Sequence, residues 1–349
     1  MKPSILVTGG AGYIGSHTAV SLAEAGFRVV LLDNYSNSDV KVVHGIRSLI
    51  NVEVPFYEVD CRDKDGLIDV FRTEKEKGHL IKGVIHFAAL KSVGESVDNP
   101  ELYKDNNIVG TQRLLEVMRE FDVENLVFSS SCTVYGEPEV VPVDENAPFL
   151  KAESPYGYTK QACERFIINH LIPNPKFNAV ILRYFNPIGA HPSVTIGESP
   201  RGIPNNLVPY LCQSVAGITG ALNVFGTDYP TPDGSCIRDY LHVMDLADAH
   251  VSALEFLFQD KLRDKETGWR AYNLGTGKGA SVLEVIQAFE KVTGLQVPYS
   301  IAERREGDVV AIWANASRAK NELGWEAKRS LEEALNDSWK WQKKRPDSQ

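Results

Sequence analysis

The segment Thr8-Gly9-Gly10-Ala11-Gly12-Tyr13-Ile14-Gly15 constrains the fold more than any other stretch of the chain. It follows an apolar run at residues 5–7 and opens a helix-like run at 13–25, with the spacing Gly9-x-x-Gly12-x-x-Gly15. A tight strand-to-helix turn needs glycine. A backbone approaching a pyrophosphate tolerates no Cβ, and close helix–strand packing needs the last glycine. The helix N-terminus then offers free N–H groups and the positive end of its dipole to phosphate. A structural turn can have the same composition. The position of this one, after a strand and before a helix, favours a bound dinucleotide.

The rest of the first half fits that start. Nearly all-apolar runs at 5–7, 29–32, 55–59, 84–87, 126–129 and 180–184 predict strands. Amphipathic stretches at 13–25, 63–77, 100–121 and 156–170 predict helices between them. Apolar strands alternating with helices imply a parallel sheet covered on both faces. Right-handed crossovers make it a doubly wound α/β fold. After residue 186 proline and glycine punctuate often. The helices predicted there are 207–216, 245–258, 282–293 and 331–343, with short strands at 222–225 and 271–274. The expected organisation is a dinucleotide-binding Rossmann domain over 1–185 and a smaller α/β substrate lobe over 186–349, with a cleft between them. Residues 343–349 are expected to form a solvated tail.

Composition narrows the function. Lys plus Arg number 37 against 46 Asp plus Glu, a formal charge of −9 over 349 residues. That excludes coating of nucleic acid or an acidic membrane surface, but leaves room for a local phosphate site. No apolar run approaches the roughly 18 residues that span a bilayer. The N-terminal apolar stretch is too short for a signal peptide. The five cysteines are odd in number and contain no Cys-x-x-Cys. A reduced, cytosolic chain without disulfides is therefore expected. The eight histidines lack ligand spacing, so no metal is expected; His86 and His242 lie in apolar contexts that suit the core.

Two carboxylates end predicted strands. Asp33, 18 residues beyond Gly15, suits the adenosine ribose and would repel a 2′-phosphate. Asn34, Asn37 and Ser38 follow it with no adjacent Arg, which favours NAD over NADP. Asp60 suits the adenine edge, and would equally serve as a cap before the helix at 63. Ser129-Ser130-Ser131 ends the fifth strand, where polar side chains face the ligand crevice. Downstream, Tyr156 and Lys160 stand four apart on one helix face. A free phenol has a pKa near ~10 and is a poor base at neutral pH. A neighbouring ammonium and a cationic nicotinamide favour the phenolate. Lys160 supplies the ammonium and can hold the nicotinamide ribose, while Ser131 orients the substrate oxygen. Such a pair is common by chance on a helix surface. Its value comes from its place after a Ser-rich strand end. Tyr158 is the rival phenol, but it lacks a lysine at the fourth position beyond it.

Taken together, the 8–15 loop, Asp33, Phe87-Ala88-Ala89, Asn106, Ser131, Tyr156 and Lys160 resemble the extended short-chain dehydrogenase/reductase family in order and type. Longer stretches resemble its UDP-hexose 4-epimerases: 86–96, 182–192, Gly202-Ile203-Pro204-Asn205-Asn206-Leu207, Arg238-Asp239-Tyr240-Leu241-His242-Val243-Met244-Asp245 and Arg304-Arg305-Glu306-Gly307-Asp308. The resemblance covers about residues 4–342.

It implies reversible inversion at C4 of the hexose in UDP-galactose and UDP-glucose. Tyr156 would take the 4-hydroxyl proton while hydride passes to a tightly bound NAD, giving a UDP-4-keto-hexose that turns before hydride returns. It also implies a homodimer through 100–121 and 156–170. The cofactor set implied is Gly9, Gly12, Tyr13, Ile14, Gly15, Asp33, Asn34, Asn37, Ser38, Asp60, Cys61, Phe87, Ala88, Ala89, Lys91, Asn106, Ser129, Tyr156, Lys160 and Tyr184. For the UDP-sugar it implies Lys91, Ser131, Thr133, Tyr156, Phe185, Asn186, Asn205, Asn206, Leu207, Arg238, Tyr240 and Arg305, with Asn223, Val224 and Phe225 at the uracil and Asp308 at the uridine ribose. By composition alone Arg305 sits in a charged run that reads as a solvated face.

Departures carry information. Cys132 stands where the family more often has Ala, and no catalytic role is expected of it. Ile312 stands where a bulky Tyr gates related epimerases against N-acetylhexosamines and a small residue admits them. Isoleucine is intermediate, so activity on UDP-N-acetylhexosamines is an open expectation. The nearest rival, a nucleotide-sugar 4,6-dehydratase, would carry Asp-Glu immediately before Val134-Tyr135-Gly136, where this chain has Cys132-Thr133. A UDP-glucuronate decarboxylase would need further cationic contacts. A non-catalytic NAD-binding regulator would have lost Tyr156 or Lys160.

Overall fold

The computed structural model describes residues 2–171, 176–260, 262, 268–305 and 307–345. Its strands are β1 Ser4–Thr8, β2 Arg28–Asp33, β3 Phe56–Glu58, β4 Ile81–His86, β5 Asn125–Ser131, β6 Asn178–Tyr184, β7 Asn186–Ile188, β8 Leu222–Phe225, β9 Ile237–Arg238, β10 Tyr240–His242, β11 Trp269–Leu274, β12 Ala280–Ser281, β13 Tyr299–Ala302 and β14 Ala311–Ile312. Its helices are α1 Tyr13–Glu24, α2 Val40–Ile50, α3 Lys64–Glu76, α4 Val93–Asp98, α5 Pro100–Tyr103, α6 Gly110–Glu120, α7 Pro155–Leu171, α8 Leu207–Val215, α9 Val243–Phe258, α10 Val282–Thr293, α11 Ser317–Leu323 and α12 Leu331–Lys344.

Seven strands form one sheet in the order β11-β6-β5-β4-β1-β2-β3, and every pairing in it is parallel. One apolar cluster joins the α1, α2 and α9 side to the sheet, and a second joins the α3, α6 and α7 side. Burial on both faces is why these strands read as unbroken apolar runs. The sheet is larger than the sequence predicts: β11, expected as a strand of the smaller lobe, pairs with β6 from Ala179 to Tyr184. Helix α9 likewise packs on α1. Residues 243–258 and 269–274 therefore return across position 185 to complete the first layer. The rest of the second half is built on short sheets, β7–β10, β8–β13 and β12–β9–β14. Its core lies among α8, α10 and α12.

The helices differ from the sequence expectation in several places, with α4 and α11 among the additional ones. The predicted helix at 100–121 is α5, a π-helical turn at Lys104–Val109 and α6. The wide turn brings Asn107 inward, where its carbonyl accepts from the Thr111 hydroxyl at 2.7 Å. Helix α2 is an additional element, capped by Asp39 and closed by Asn51 in the left-handed region. At the C-terminus Lys343 and Lys344 are helical, not tail; 346–349 lie outside the described residues. No helix among the described residues is long and apolar enough to cross a membrane.

Candidate active site

The carboxyl ends of β1 to β6 converge on one edge of the sheet, where ligands of parallel α/β sheets bind. The glycine loop lies there. Gly9 takes a φ of +67°, and a Cβ on it would come within 2.8 Å of the Ala88 amide nitrogen. A Cβ on Gly15 would stand 2.2 Å from the Gly9 carbonyl oxygen. The loop is thus closed against the β4 end, where Phe87 donates its amide to the Thr8 carbonyl at 3.0 Å. Helix α1 starts at Gly12 without any side-chain cap, whereas α10 and α12 each have a full capping box. Its first-turn amides, including those of Tyr13 and Ile14, are left for an anion. This cradle, closed to side chains and lined by backbone donors, fits a dinucleotide pyrophosphate.

Asp33, buried at the end of β2, accepts from the Ala11 amide at 3.0 Å, the Tyr35 amide at 2.9 Å and the Ser38 hydroxyl at 2.8 Å. Asp60 is not the cap of α3; Asp63 is. Asp60 instead accepts from Asn34 at 2.8 Å and pairs with Arg62, which holds its carboxyl down at about 2. Cys61 is buried beside them, its thiol pushed up to about 12 chiefly by burial. Asn37 is exposed at the tip of this loop. The ring of His86 is core, bonded to Thr8 at 2.6 Å and Thr111 at 3.1 Å.

The catalytic candidates meet at the β5–α7 junction. Lys160 is buried and donates to the Ser129 carbonyl at 2.7 Å, with its Nζ 5.9 Å from the Tyr156 ring centroid. Burial brings Lys160 down to about 8. Burial likewise pushes the Tyr156 phenol up, while its hydrogen bond with Ser131 pulls it down. The Ser131 oxygen also accepts from the Thr133 amide at 3.3 Å, and Tyr184 is hydrogen-bonded to the Ser129 hydroxyl. The Thr133 hydroxyl is buried and unpartnered. Tyr158 is exposed and stands off this cluster.

On the other side of the cleft, Arg238 and Arg305 both meet Asp308, at 3.4 and 2.7 Å, and the Arg305 guanidinium lies 5.7 Å from the Phe225 ring centroid. Arg305 is thus one of a group, although its charged run reads as surface; Glu306 lies outside the described residues. Along β8 burial alternates, so Asn223 and Phe225 face outward while Val224 is 0% exposed in the lobe core. The Val224 side chain therefore does not meet a uracil, since in a strand alternate residues face opposite ways. Only its main chain can. Asn186 opens β7, donating to the Asp239 carbonyl at 2.9 Å, and Tyr240 is buried in β10. Asn205 donates to Ser92 at 3.2 Å, and Leu207 packs at the start of α8, another helix without a side-chain cap. Ile312 pairs with Arg238 along β14 and is 4% exposed, in a cluster with Cys132 and Phe185.

Sequence reasoning missed three residues that join these groups. Glu198 accepts from Lys91 at 3.1 Å and Asn206 at 3.3 Å, tying the dinucleotide side to the lobe. Arg201 donates to the Ser36 and Ser38 carbonyls at 2.9 and 2.6 Å. Asn107, rather than Asn106, fixes the 90 loop by bonding both Leu90 backbone groups. Asn106 donates to it at 2.9 Å. Among the described residues no cluster of His, Cys, Asp or Glu is arranged to hold a metal.

A doubly wound sheet, a glycine-rich loop, and a Ser, Tyr and Lys at its mouth define an extended short-chain dehydrogenase/reductase acting on a nucleotide-linked substrate. The family described as GDP-mannose 4,6 dehydratase matches residues 6–338. A UDP-glucose 4-epimerase from Bacillus subtilis is 51% identical over 339 residues, covering 97% of this chain and 96% of that protein. The crystal structure of the UDP-glucose 4-epimerase from Stenotrophomonas maltophila with bound NAD and formylated UDP-arabinopyranose is 47% identical, has a TM-score of 0.91 and covers 98% of each chain. That from Bifidobacterium longum with NAD+ and UDP is 42% identical, has a TM-score of 0.92, and covers 99% of this chain and all of that one. The chain belongs to the UDP-glucose 4-epimerase family.

Proposed function

We propose that the chain catalyses the reversible, NAD-dependent inversion of C4 in UDP-galactose and UDP-glucose through a UDP-4-keto-hexose. The observation that carries this is the junction of Tyr156, Ser131 and the buried Lys160 beside the glycine cradle. Bound NAD would supply the acceptor and donor for the C4 hydride. Gly9, Gly12 and Gly15 admit its pyrophosphate, Asp33 its ribose, and Lys160 and Tyr184 its nicotinamide end. Tyr156 accepts the 4-hydroxyl proton in one half-reaction and returns it in the other. The Lys160 ammonium favours the phenolate. Arg238 and Arg305 grip the diphosphate as planar forks. Remote binding of the nucleotide leaves the sugar free to turn. The seven-stranded layer, including α9 and β11 from beyond residue 185, acts chiefly on NAD, and the rest of 186–349 chiefly on the UDP-sugar.

A dehydratase must also deliver an acid and a base near C5 and C6. Positions 132 and 133 hold a thiol and a hydroxyl instead, and burial pushes the Cys132 thiol up to about 12. Interconversion of UDP-galactose and UDP-glucose by the purified protein, with UDP-N-acetylhexosamines alongside, tests the reading. Dehydrated product in place of the epimer would sink it. Ile312, packed with Cys132 and Phe185, sets the room beside the sugar, so N-acetylhexosamine turnover belongs to the same proposal and its absence removes that part.

A homodimer through α5, α6 and α7 is the companion proposal. It is supported by apolar side chains on that side: Val97 is 61% exposed, Leu102 43% and Tyr158 47%. Sedimentation at twice the chain mass is expected, and a monomer rejects it. The working compartment proposed is the cytosol, where the five unpaired cysteines stay reduced.

A further inference from the structure

Helix α7 carries Tyr156, Lys160 and Glu164 at successive four-residue steps, hence on one face. Glu164 is fully buried. Its carboxylate accepts from the Ser130 hydroxyl, from Arg183 Nε at 3.0 and 3.2 Å and from a terminal Arg183 nitrogen at 2.7 Å. Ser130 and Arg183 are direct partners across β5 and β6, and the pairs on either side are Ser129 with Leu182 and Ser131 with Tyr184. One carboxylate therefore clasps the rung between Ser129, which receives Lys160, and Ser131, which meets Tyr156. Arg183 extends the network to the Tyr135 hydroxyl at 3.0 Å, and Tyr135 donates to Asn273 on β11 at 2.6 Å.

We infer that Glu164 is a positioning residue for proton transfer: it sets the β5 end against α7 and places a carboxylate beside the Lys160 ammonium. The inference rests on reading Tyr156 and Lys160 as the proton-transfer pair. The groups facing Lys160 are the His86 ring from β4, the Phe128 ring and Ser129 carbonyl from β5, and Tyr156, Cys163 and Glu164 from α7 itself. His86 is held neutral, down at about 3, and Cys163 is pushed up, in both cases chiefly by burial. Glu164 is the carboxylate in this set, and it opposes the burial that lowers Lys160. Replacing it with an amide removes that support and leaves the Arg183 charge uncompensated. Both changes make Lys160 lose its proton at lower pH.

The test is Glu164→Gln and the double variant Glu164→Gln with Arg183→Met, which keeps a buried unpaired charge out of the fold. Each is compared with Tyr156→Phe. The single variant should move the alkaline limb of kcat down by about one pH unit, a loss of about twofold at pH 7 that approaches about tenfold above pH 8, with KM for the UDP-sugar within about twofold. The double variant should keep a limb below that of the native enzyme. Native pH profiles in whichever of the two variants folds, even with lower thermal stability, overturn the inference and leave Glu164 a packing residue. An active Tyr156→Phe would instead overturn the proton-transfer reading itself.

Discussion

Asp33 Oδ2 accepts the Ala11 amide at 3.0 Å, so the carboxylate ending β2 is anchored to the loop that cradles the pyrophosphate. Its other oxygen organises Tyr35 and Ser38. The same group thus shapes the loop and presents negative charge where the adenosine ribose would lie. Asp33→Asn keeps the shape and removes the charge. We expect NAD affinity to fall by about tenfold, since charge-assisted hydrogen bonds are worth roughly twice neutral ones. Binding of NADP relative to NAD should rise, as the repulsion of a 2′-phosphate is gone. An unchanged NAD/NADP ratio in equilibrium binding would contradict the role.

Tyr156→Phe removes one hydroxyl from the Ser131–Tyr156–Lys160 junction and leaves the ring. General acid–base groups contribute on the order of 10²–10⁴-fold. A kcat loss in that range is expected, with UDP-sugar affinity retained because Arg238, Arg305 and Asp308 lie elsewhere in the cleft. Near-native turnover would remove Tyr156 from the reaction.

Much of this was legible in the sequence, for identifiable reasons. Residues 8–15, Asp33, Ser131, Tyr156 and Lys160 belong to short motifs whose chemistry needs those residue types at those spacings. What escaped depended on side chains meeting across long separations. Glu198 lies 107 residues from Lys91, and no local pattern links them. Arg201 and Ser38 are 163 apart. Glu164, by contrast, was available to reasoning at the fourth position beyond Lys160, but its partner Arg183 appears only once β5 and β6 are in register. Strand β11 reads as a short apolar run, and nothing local says which sheet it joins. The inward turn of the Val224 side chain follows from the two-residue period of β8, which a three-residue motif does not show by itself.

Arg305→Ala tests the lobe. Its guanidinium is half exposed and bridges Asp308 to the Phe225 ring side. Solvent screening limits what the Asp308 pair contributes to stability, to about 0–1 kcal/mol, so the fold should survive. The loss should fall on UDP affinity, about tenfold, or ~1.4 kcal/mol. Calorimetry with UDP reads it directly, and unchanged affinity would remove Arg305 from the diphosphate site.

Three buried histidines make the fold sensitive to acid. Burial, the largest cause in each case, lowers His17 and His86 to about 3 and His250 to about 4. In the unfolded chain each titrates near ~6.5. Between those values the unfolded state binds the extra protons, so stability is full above pH ~6.5 and falls as pH drops toward the folded values. Each histidine withdraws about 1.4 kcal/mol per pH unit in that window. The ring of His250 bonds the Leu246 carbonyl through Nδ1 at 2.8 Å, while its Nε2 is buried without a partner. A proton added there has nothing to meet. The thermal midpoint should therefore fall steeply from pH 7 to pH 5, and His250→Gln should flatten that slope. A midpoint that stays level over this range would show that these histidines do not remain buried and neutral in the folded protein.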